Sequence, residues 1–197
     1  MPSQKTPVAI IAIITLIVAV IFTLSQKNQN KKNMLVGKNP EISVNIKTRN
    51  QNMVLKSSAF SDNQIIPAAY TCDGKNVSPP LTIAEVPAEA KSLALIVEDS
   101  DAPAGIWYHW LVWNINPAAK EITQETTIHG TVEGTNSFGK IGYGGPCPPS
   151  GTHHYIFTLY ALDSNISLPP STTANKLKEA IDNHIIAQTS LTGLYHH

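Results

Sequence analysis

Apolar and polar residues fall into three regimes along this chain. Val8 to Leu24 (VAIIAIITLIVAVIFTL) is an unbroken apolar run without a charge. Ser25 to Asn52 is rich in Asn, Gln and Lys, with few large apolar residues and no sustained period. From Met53 onward, short apolar segments alternate with Gly, Pro, Asn and Asp turns, the pattern of strands joined by tight loops.

The first regime sits near the lower limit of about 17–25 residues for a membrane-spanning helix. It exceeds the usual secretory core of roughly 7–15 residues, and no A-x-A-like cleavage site follows it. The pattern therefore predicts a short tail over 1–6, an uncleaved transmembrane helix over 7–24, a flexible polar tether over 25–52 and a folded domain over 53–197. A cleaved signal peptide is the rival reading. An apolar segment ahead of a folded domain is most simply an export device. The expectation is thus a single-pass membrane protein with an extracytoplasmic domain, periplasmic or at the cell surface. Lys27, Lys31, Lys32 and Lys38, which follow the run, argue for the opposite orientation.

Within the domain, Met53 to Ser57 reads as a first strand. Asp73-Gly74 marks a turn, and Asn76 to Pro80 an extended loop. Ser92 to Glu98 (SLALIVE) is a continuous apolar run and hence a buried strand. Trp107 to Ile115 (WYHWLVWNI) is apolar on both faces, as in a strand covered from both sides. Strict alternation puts Trp107, His109, Leu111, Trp113 and Ile115 on one face. The three tryptophans are assigned to the core. Leu177, Ala180, Ile181 and Ile185 recur at helical spacing, predicting one late amphipathic helix that ends near Gln188, with Thr189 to His197 as a last strand. The fold class is mainly β: an antiparallel β-sandwich with peripheral short helices and that one late helix.

The most unusual stretch is Gly139 to Leu162. Gly142, Gly144, Gly145, Pro146, Cys147, Pro148, Pro149 and Gly151 form a shaped loop that runs directly into an alternating strand bearing His153 and Tyr155 on one face. Glycine-rich backbone beside histidine is a common way to hold a small anion. A second loop, Asp99 to Gly105, lies between the two apolar strands. Together they nominate Asp99, Asp101, His109, His153 and Tyr155 with the backbone of Gly142 to Gly145. Asp99 is expected beside His109, where a carboxylate fixes the tautomer and favours the charged ring.

Charge narrows the partners. Residues 1–52 carry seven Lys/Arg against one acid, Glu41, whereas 53–197 carry seven Lys, no Arg and thirteen acids. An acidic domain without arginine argues against nucleic acid, which needs cations over its phosphates. The two cysteines, Cys72 and Cys147, leave open one bridge, two free thiols or part of a metal site.

Several ordered motifs carry a family resemblance. They are Asp99-Ser100-Asp101-Ala102-Pro103, Trp107-Tyr108-His109-Trp110, the stretch Gly144 to Gly151 (GGPCPPSG) and His153-His154-Tyr155, with Tyr70 to Gly74 and Asn76 to Leu81 upstream. The chain over 53–197 resembles the phosphatidylethanolamine-binding protein family, in its bacterial and archaeal Raf-kinase-inhibitor-like branch. The resemblance implies a β-sandwich with a small anion pocket for phosphate-bearing ligands or phospholipid headgroups. It implies Asp99 and His109 in that pocket, with Gly145, His153 and Tyr155 across from them and Asp101 on the same loop. It also implies a possible kinase or protease partner, because family members are described as inhibitors of such enzymes. The family commonly has proline where Ser100 stands and arginine where His154 stands.

Both cysteines lie in loops flanking the proposed pocket, so a Cys72–Cys147 disulfide is expected. A zinc site from Cys72, Cys147, His109 and His153 lacks close Cys-x-x-Cys spacing, and neither a metal nor another cofactor is expected. No G-x-S-x-G elbow is present. The expectation is a binding module rather than an enzyme.

Overall fold

A computed structural model describes residues 53–124 and 130–197. The described strands are β1 (Val54–Ser57), β2 (Gln64–Ile65), β3 (Leu81–Ala84), β4 (Ser92–Asp99), β5 (Trp107–Ile115), β6 (Glu121–Ile122), β7 (Val132–Glu133), β8 (Thr152–Leu162) and β9 (Ile185–His196). One α-helix, α1 (Ala174–Ile181), precedes β9. Two sheets form: β1-β3-β6, and β2-β9-β8-β4-β5-β7. Neighbouring strands are antiparallel except β2 and β9, which run parallel.

The large sheet is covered on both faces, as the two-sided apolar strands required. On one face, Leu95, Val97, Val112, Phe157 and Leu159 meet Leu55, Leu81, Ile83 and Ile122 of the small sheet. On the other, Ala94, Ile96, Leu111 and Trp113 lie in one buried cluster with Leu177 and Ile181 of α1. The central strand β4 is accordingly buried at each of its first six positions. The mainly β sandwich with one late helix is the observed architecture.

Strict alternation fails along β5, and the reason is visible in the register. Val97 pairs with Trp110 but Glu98 pairs with Tyr108, so His109 is an extra residue. Leu93 pairs with Ile115 and Leu95 with Val112, so Trp113 and Asn114 together oppose Ala94. Asn114 takes up the second irregularity at φ 59°, a left-handed conformation that asparagine tolerates better than most residues. A β-bulge shifts the side-chain phase by one. Trp110, Val112 and Ile115 therefore share one cluster, while Leu111 and Trp113 belong to the other. The expected common face of Trp107, His109, Leu111, Trp113 and Ile115 does not exist.

The late helix is shorter than its spacing predicts. It ends at Ile181, a 3-10 turn spans Asp182–His184, and Ile185 already opens β9. β9 pairs with β8 from Thr152↔His196 to Leu162↔Ile185. That ladder satisfies the backbone groups of 185–188, which a continued helix would withdraw from the sheet edge. The turn is closed by His184 Nδ1 donating to Asp163 at 2.7 Å.

The membrane-spanning helix and the single-pass location do not stand. No helix among the described residues is long and apolar enough to cross a membrane. The described α-helix has eight residues, about 12 Å at the helical rise, against a hydrocarbon core of about 30 Å. The tail over 1–6, the span over 7–24 and the tether over 25–52 lie outside the described residues.

Leu177 is fully buried where α1 covers the large sheet. Leu177→Ala is expected to destabilise the domain by about 2–5 kcal/mol, read as a lowered midpoint of chemical denaturation with an unchanged slope. A shift under about 1 kcal/mol would mean that α1 does not close that face.

Candidate functional site

Asp99 is the last residue of β4 and sits between Trp107 of β5 and Tyr155 of β8. Two residues before Tyr155 on the same buried face of β8 comes His153. Its Nδ1–H donates to Asp99 Oδ2 at 2.7 Å, and both side chains are nearly sealed from solvent. The other carboxylate oxygen accepts the Asp101 N–H at 2.9 Å, which turns the chain out of the strand. A buried carboxylate needs such partners, because leaving it unpaired costs several kcal/mol.

Asp99 was expected on His109, and the structure gives it to His153 instead. His109 is the bulged residue of β5, and a bulge re-aims its side chain. The loop after β7 claims the ring: Gly144 N–H donates to the His109 carbonyl at 2.9 Å, and His109 Nδ1–H donates to the Gly144 carbonyl at 2.6 Å. Burial holds the His109 pKa below the ordinary histidine value, while the Gly144 and Gly145 carbonyls and the charge on Asp99 pull the other way. With Nδ1 committed to a carbonyl, Nε2 is left buried and has no hydrogen-bond partner among the described residues.

Tyr155 packs against both imidazoles. Its ring meets His109 edge to face at 5.1 Å between centroids and stacks with His153 at 6.5 Å. Its hydroxyl is also buried, with the Cys147 backbone beside it but no side-chain partner among the described residues. Burial, reinforced by the charge on Asp99, raises the phenol pKa, so the group stays an O–H donor at neutral pH.

These groups line a cavity of about 300 Å³ whose remaining wall is largely apolar, including Pro103, Trp107, Phe138 and Pro149. Asp99, His109, His153 and Tyr155 thus come together at one cavity, as the sequence suggested. Asp101 and Gly145 are not among its lining residues. The Asp101 carboxylate faces outward and accepts both the backbone N–H and the ring Nδ1–H of His154, at 2.7 and 2.8 Å. The His154 backbone N–H, then its ring, holds the Asp101 pKa below the usual carboxylate range. Gly145 has a packing role. Its N–H donates to Asn76 Oδ1 at 2.7 Å, and an added Cβ would stand 2.6 Å from the Tyr70 carbonyl oxygen. Toward the His109 ring the glycine loop presents carbonyls, not the free amides expected of it.

Two aromatic cavity residues escaped the sequence reading. Trp107 was assigned to the core but lines the cavity, edge to face with Phe138 at 5.4 Å. Phe138 is delivered by buried Asn136, whose Oδ1 accepts the N–H groups of Phe138 and Lys140 and whose Nδ2–H donates to the Gly142 carbonyl. The only local hint was an Asn-initiated turn ending in Gly139-Lys140.

Comparison with known proteins supplies the kinship of the chain. A family model described as phosphatidylethanolamine-binding protein matches residues 56–196. The chain belongs to the phosphatidylethanolamine-binding protein family. Among curated members, a UPF0098 protein of Methanothermobacter thermautotrophicus is 47% identical over 148 residues, covering 73% of this chain and 98% of the relative. One from Pyrococcus abyssi is 46% identical, covering 74% and 86%. Two solved members share the fold. A putative phosphatidylethanolamine-binding protein homologue from Chlamydia trachomatis has a TM-score of 0.71 at 45% identity, covering 74% of this chain and 97% of its own. Escherichia coli YbcL has a TM-score of 0.70 at 30% identity, covering 74% and 98%.

In this family member Cys72 and Cys147 form a disulfide, their Cα atoms 5.5 Å apart. It ties the loop after the 3-10 turn Ala68–Tyr70 to the cavity wall, where Cys147 sits. Cys72 N–H also donates to the Pro146 carbonyl, and the Tyr143 hydroxyl donates to the Tyr70 carbonyl at 2.8 Å. Titration of the denatured, unreduced protein with a thiol reagent is expected to find no free thiol; two reactive thiols would rule the bridge out. Reducing it should remove about 4 kcal/mol of stability in the chain-entropy account, for a loop of this length.

Proposed function

We propose that this protein is a non-enzymatic binding module whose cavity takes a phosphate-bearing ligand, a free small molecule or a phospholipid headgroup. The observation that carries the reading is the buried His109 Nε2, without a hydrogen-bond partner among the described residues, at the cavity that also holds the Tyr155 hydroxyl and the Asp99–His153 hydrogen bond. A buried polar atom without a partner costs about 1–3 kcal/mol, and a ligand with phosphoryl oxygens repays that cost. The apolar wall around Trp107 and Phe138 accommodates the carbon part of the ligand. Non-enzymatic action rests on the absence of an activated nucleophile at the cavity: the Tyr155 phenol pKa is raised, not lowered, and Cys147 is held in a disulfide.

Proton chemistry follows from the geometry. His109 Nδ1–H is spent on Gly144, so a neutral ring offers the ligand a lone pair at Nε2. A phosphate oxygen can meet that atom only if one proton is shared between them, carried by the ring or by the phosphate. Below the depressed His109 pKa the ring already holds that proton; above it and above the second phosphate pKa of about 6, binding must take one up. Affinity for a phosphate monoester is therefore expected to fall by up to about tenfold per pH unit above roughly pH 6.5. Calorimetry in buffers of different ionisation enthalpy should show proton uptake at pH 8. A flat profile from pH 6 to 9 would remove His109 from ligand contact.

His109→Ala is expected to abolish binding of the same ester while the thermal unfolding of the domain stays cooperative. Unchanged binding would refute the assignment. A second reading, inhibition of a kinase or protease by surface contact, draws on exposed Ile106, Phe138 and Ile141, of which Phe138 lines the cavity. Inhibition of such an enzyme that survives His109→Ala would favour it over the cavity.

A further inference from the structure

The cluster around the disulfide has a chemistry of its own. The sulfurs of Cys72 and Cys147 and a ring nitrogen of His197 lie within 4.8 Å of one another. His197 Nε2 is 3.5 Å from Cys72 Sγ and 3.2 Å from Asp73 Oδ2. The Asp73 carboxylate is in turn held by the Tyr195 hydroxyl. Two sulfurs, an imidazole and an oriented carboxylate are the donor set of a four-coordinate zinc site, with a hydrogen bond behind one ligand to aim it. Zinc-bound imidazole nitrogen and carboxylate oxygen at about 2.0–2.1 Å sit roughly 3.3 Å apart in a tetrahedron. The His197–Asp73 separation already matches that edge.

Three hydrogen bonds join the two loops besides the sulfur–sulfur bond. Cys72 N–H donates to the Pro146 carbonyl at 3.0 Å, Gly145 N–H to Asn76 Oδ1 at 2.7 Å, and the Tyr143 hydroxyl to the Tyr70 carbonyl at 2.8 Å. After reduction the sulfurs need only swing from bonded distance to the roughly 3.8 Å that separates two thiolates on one zinc. Cys147, Asp73 and His197 are exposed, so a reductant and an ion can reach them.

We propose that the reduced form of this protein carries a zinc-class metal site made of Cys72, Cys147, His197 and Asp73, and that the disulfide closes it. The chemistry balances with a dithiol as reductant. Its two thiols are oxidised to a disulfide, and Cys72 and Cys147 gain two electrons and two protons to become thiols. Binding of Zn²⁺ then forms two Zn–S bonds, one bond to His197 Nε2 and one to Asp73 Oδ2, and releases the two thiol protons to solvent. The ion stabilises the reduced state because it binds thiolates and not the disulfide. The site needs no ligand in the cavity, whose wall it shares only at Cys147.

The test uses Co²⁺ as a spectroscopic stand-in for zinc on the full chain. The protein is reduced anaerobically with a water-soluble trialkylphosphine, which leaves as the phosphine oxide with an oxygen taken from water, and the reagent is then removed. Addition of Co²⁺ to the reduced protein is expected to produce sulfur-to-metal charge-transfer absorption and the intense visible bands of a tetrahedral thiolate site, at one ion per chain. The unreduced protein should give neither. Zn²⁺ should displace the bands. His197→Ala, a change at an exposed position, is expected to weaken Co²⁺ at least about tenfold, and Cys72→Ser to diminish the charge-transfer band, since one thiolate remains. Absence of the bands in protein with two titratable thiols overturns the proposal. Bands that are unaltered in His197→Ala also overturn it, because thiols of an unfolded or loosened chain would bind cobalt without that imidazole.

Discussion

A carboxylate buried at the end of the central strand constrains everything around it. Asp99 is almost completely enclosed and cannot be left unpaired at that depth. Its two oxygens are met by a neighbour in its own loop and by an imidazole from the adjacent strand. The second partner exists only because β8 lies beside β4 in a register that sets Asp99 against Tyr155. A one-residue slip would turn His153 to the other face of the sheet and expose Phe157 and Leu159 with it. Core packing and site geometry are thus enforced by the same ladder.

The second imidazole is supplied by a defect rather than by regularity. His109 interrupts the β4–β5 pairing, and the glycine loop closes over it with a reciprocal pair of hydrogen bonds. The glycines act through close approach: Gly145 lies where any side chain would strike the Tyr70 backbone. The disulfide and three further hydrogen bonds fasten the same loop to the segment around Cys72. The buried Asp99–His153 pair and the Nε2 of His109, which has no partner among the described residues, give the cavity its polarity. The aromatic and proline residues give it its shape.

Much of this is legible in the sequence. SLALIVE and WYHWLVWNI were legible as doubly covered strands because burial on both faces leaves no room for polar alternation. His153 and Tyr155 were legible as neighbours on one face because the strand period is two. Sequence spacing misplaced the partner of Asp99, since pairing register and a bulge set that contact. Phe138 was invisible for a related reason: a turn organised by Asn136 carries it across the gap between β7 and β8. The late helix was overextended because Ile181 and Ile185 keep a helical interval, yet Ile185 serves the β8 ladder.

Residue order alone determined that the domain is a β-sandwich with one covering helix, that two loops are shaped by glycine and proline and that two cysteines stand beside them. Those properties follow from local periodicity and turn preference, which act over a few residues. Tertiary structure alone decided which histidine the aspartate holds, which ring nitrogen is left without a partner, and that His197 and Asp73 flank the sulfurs. Each of these depends on strands far apart in the chain meeting in one register, and no local preference encodes that register.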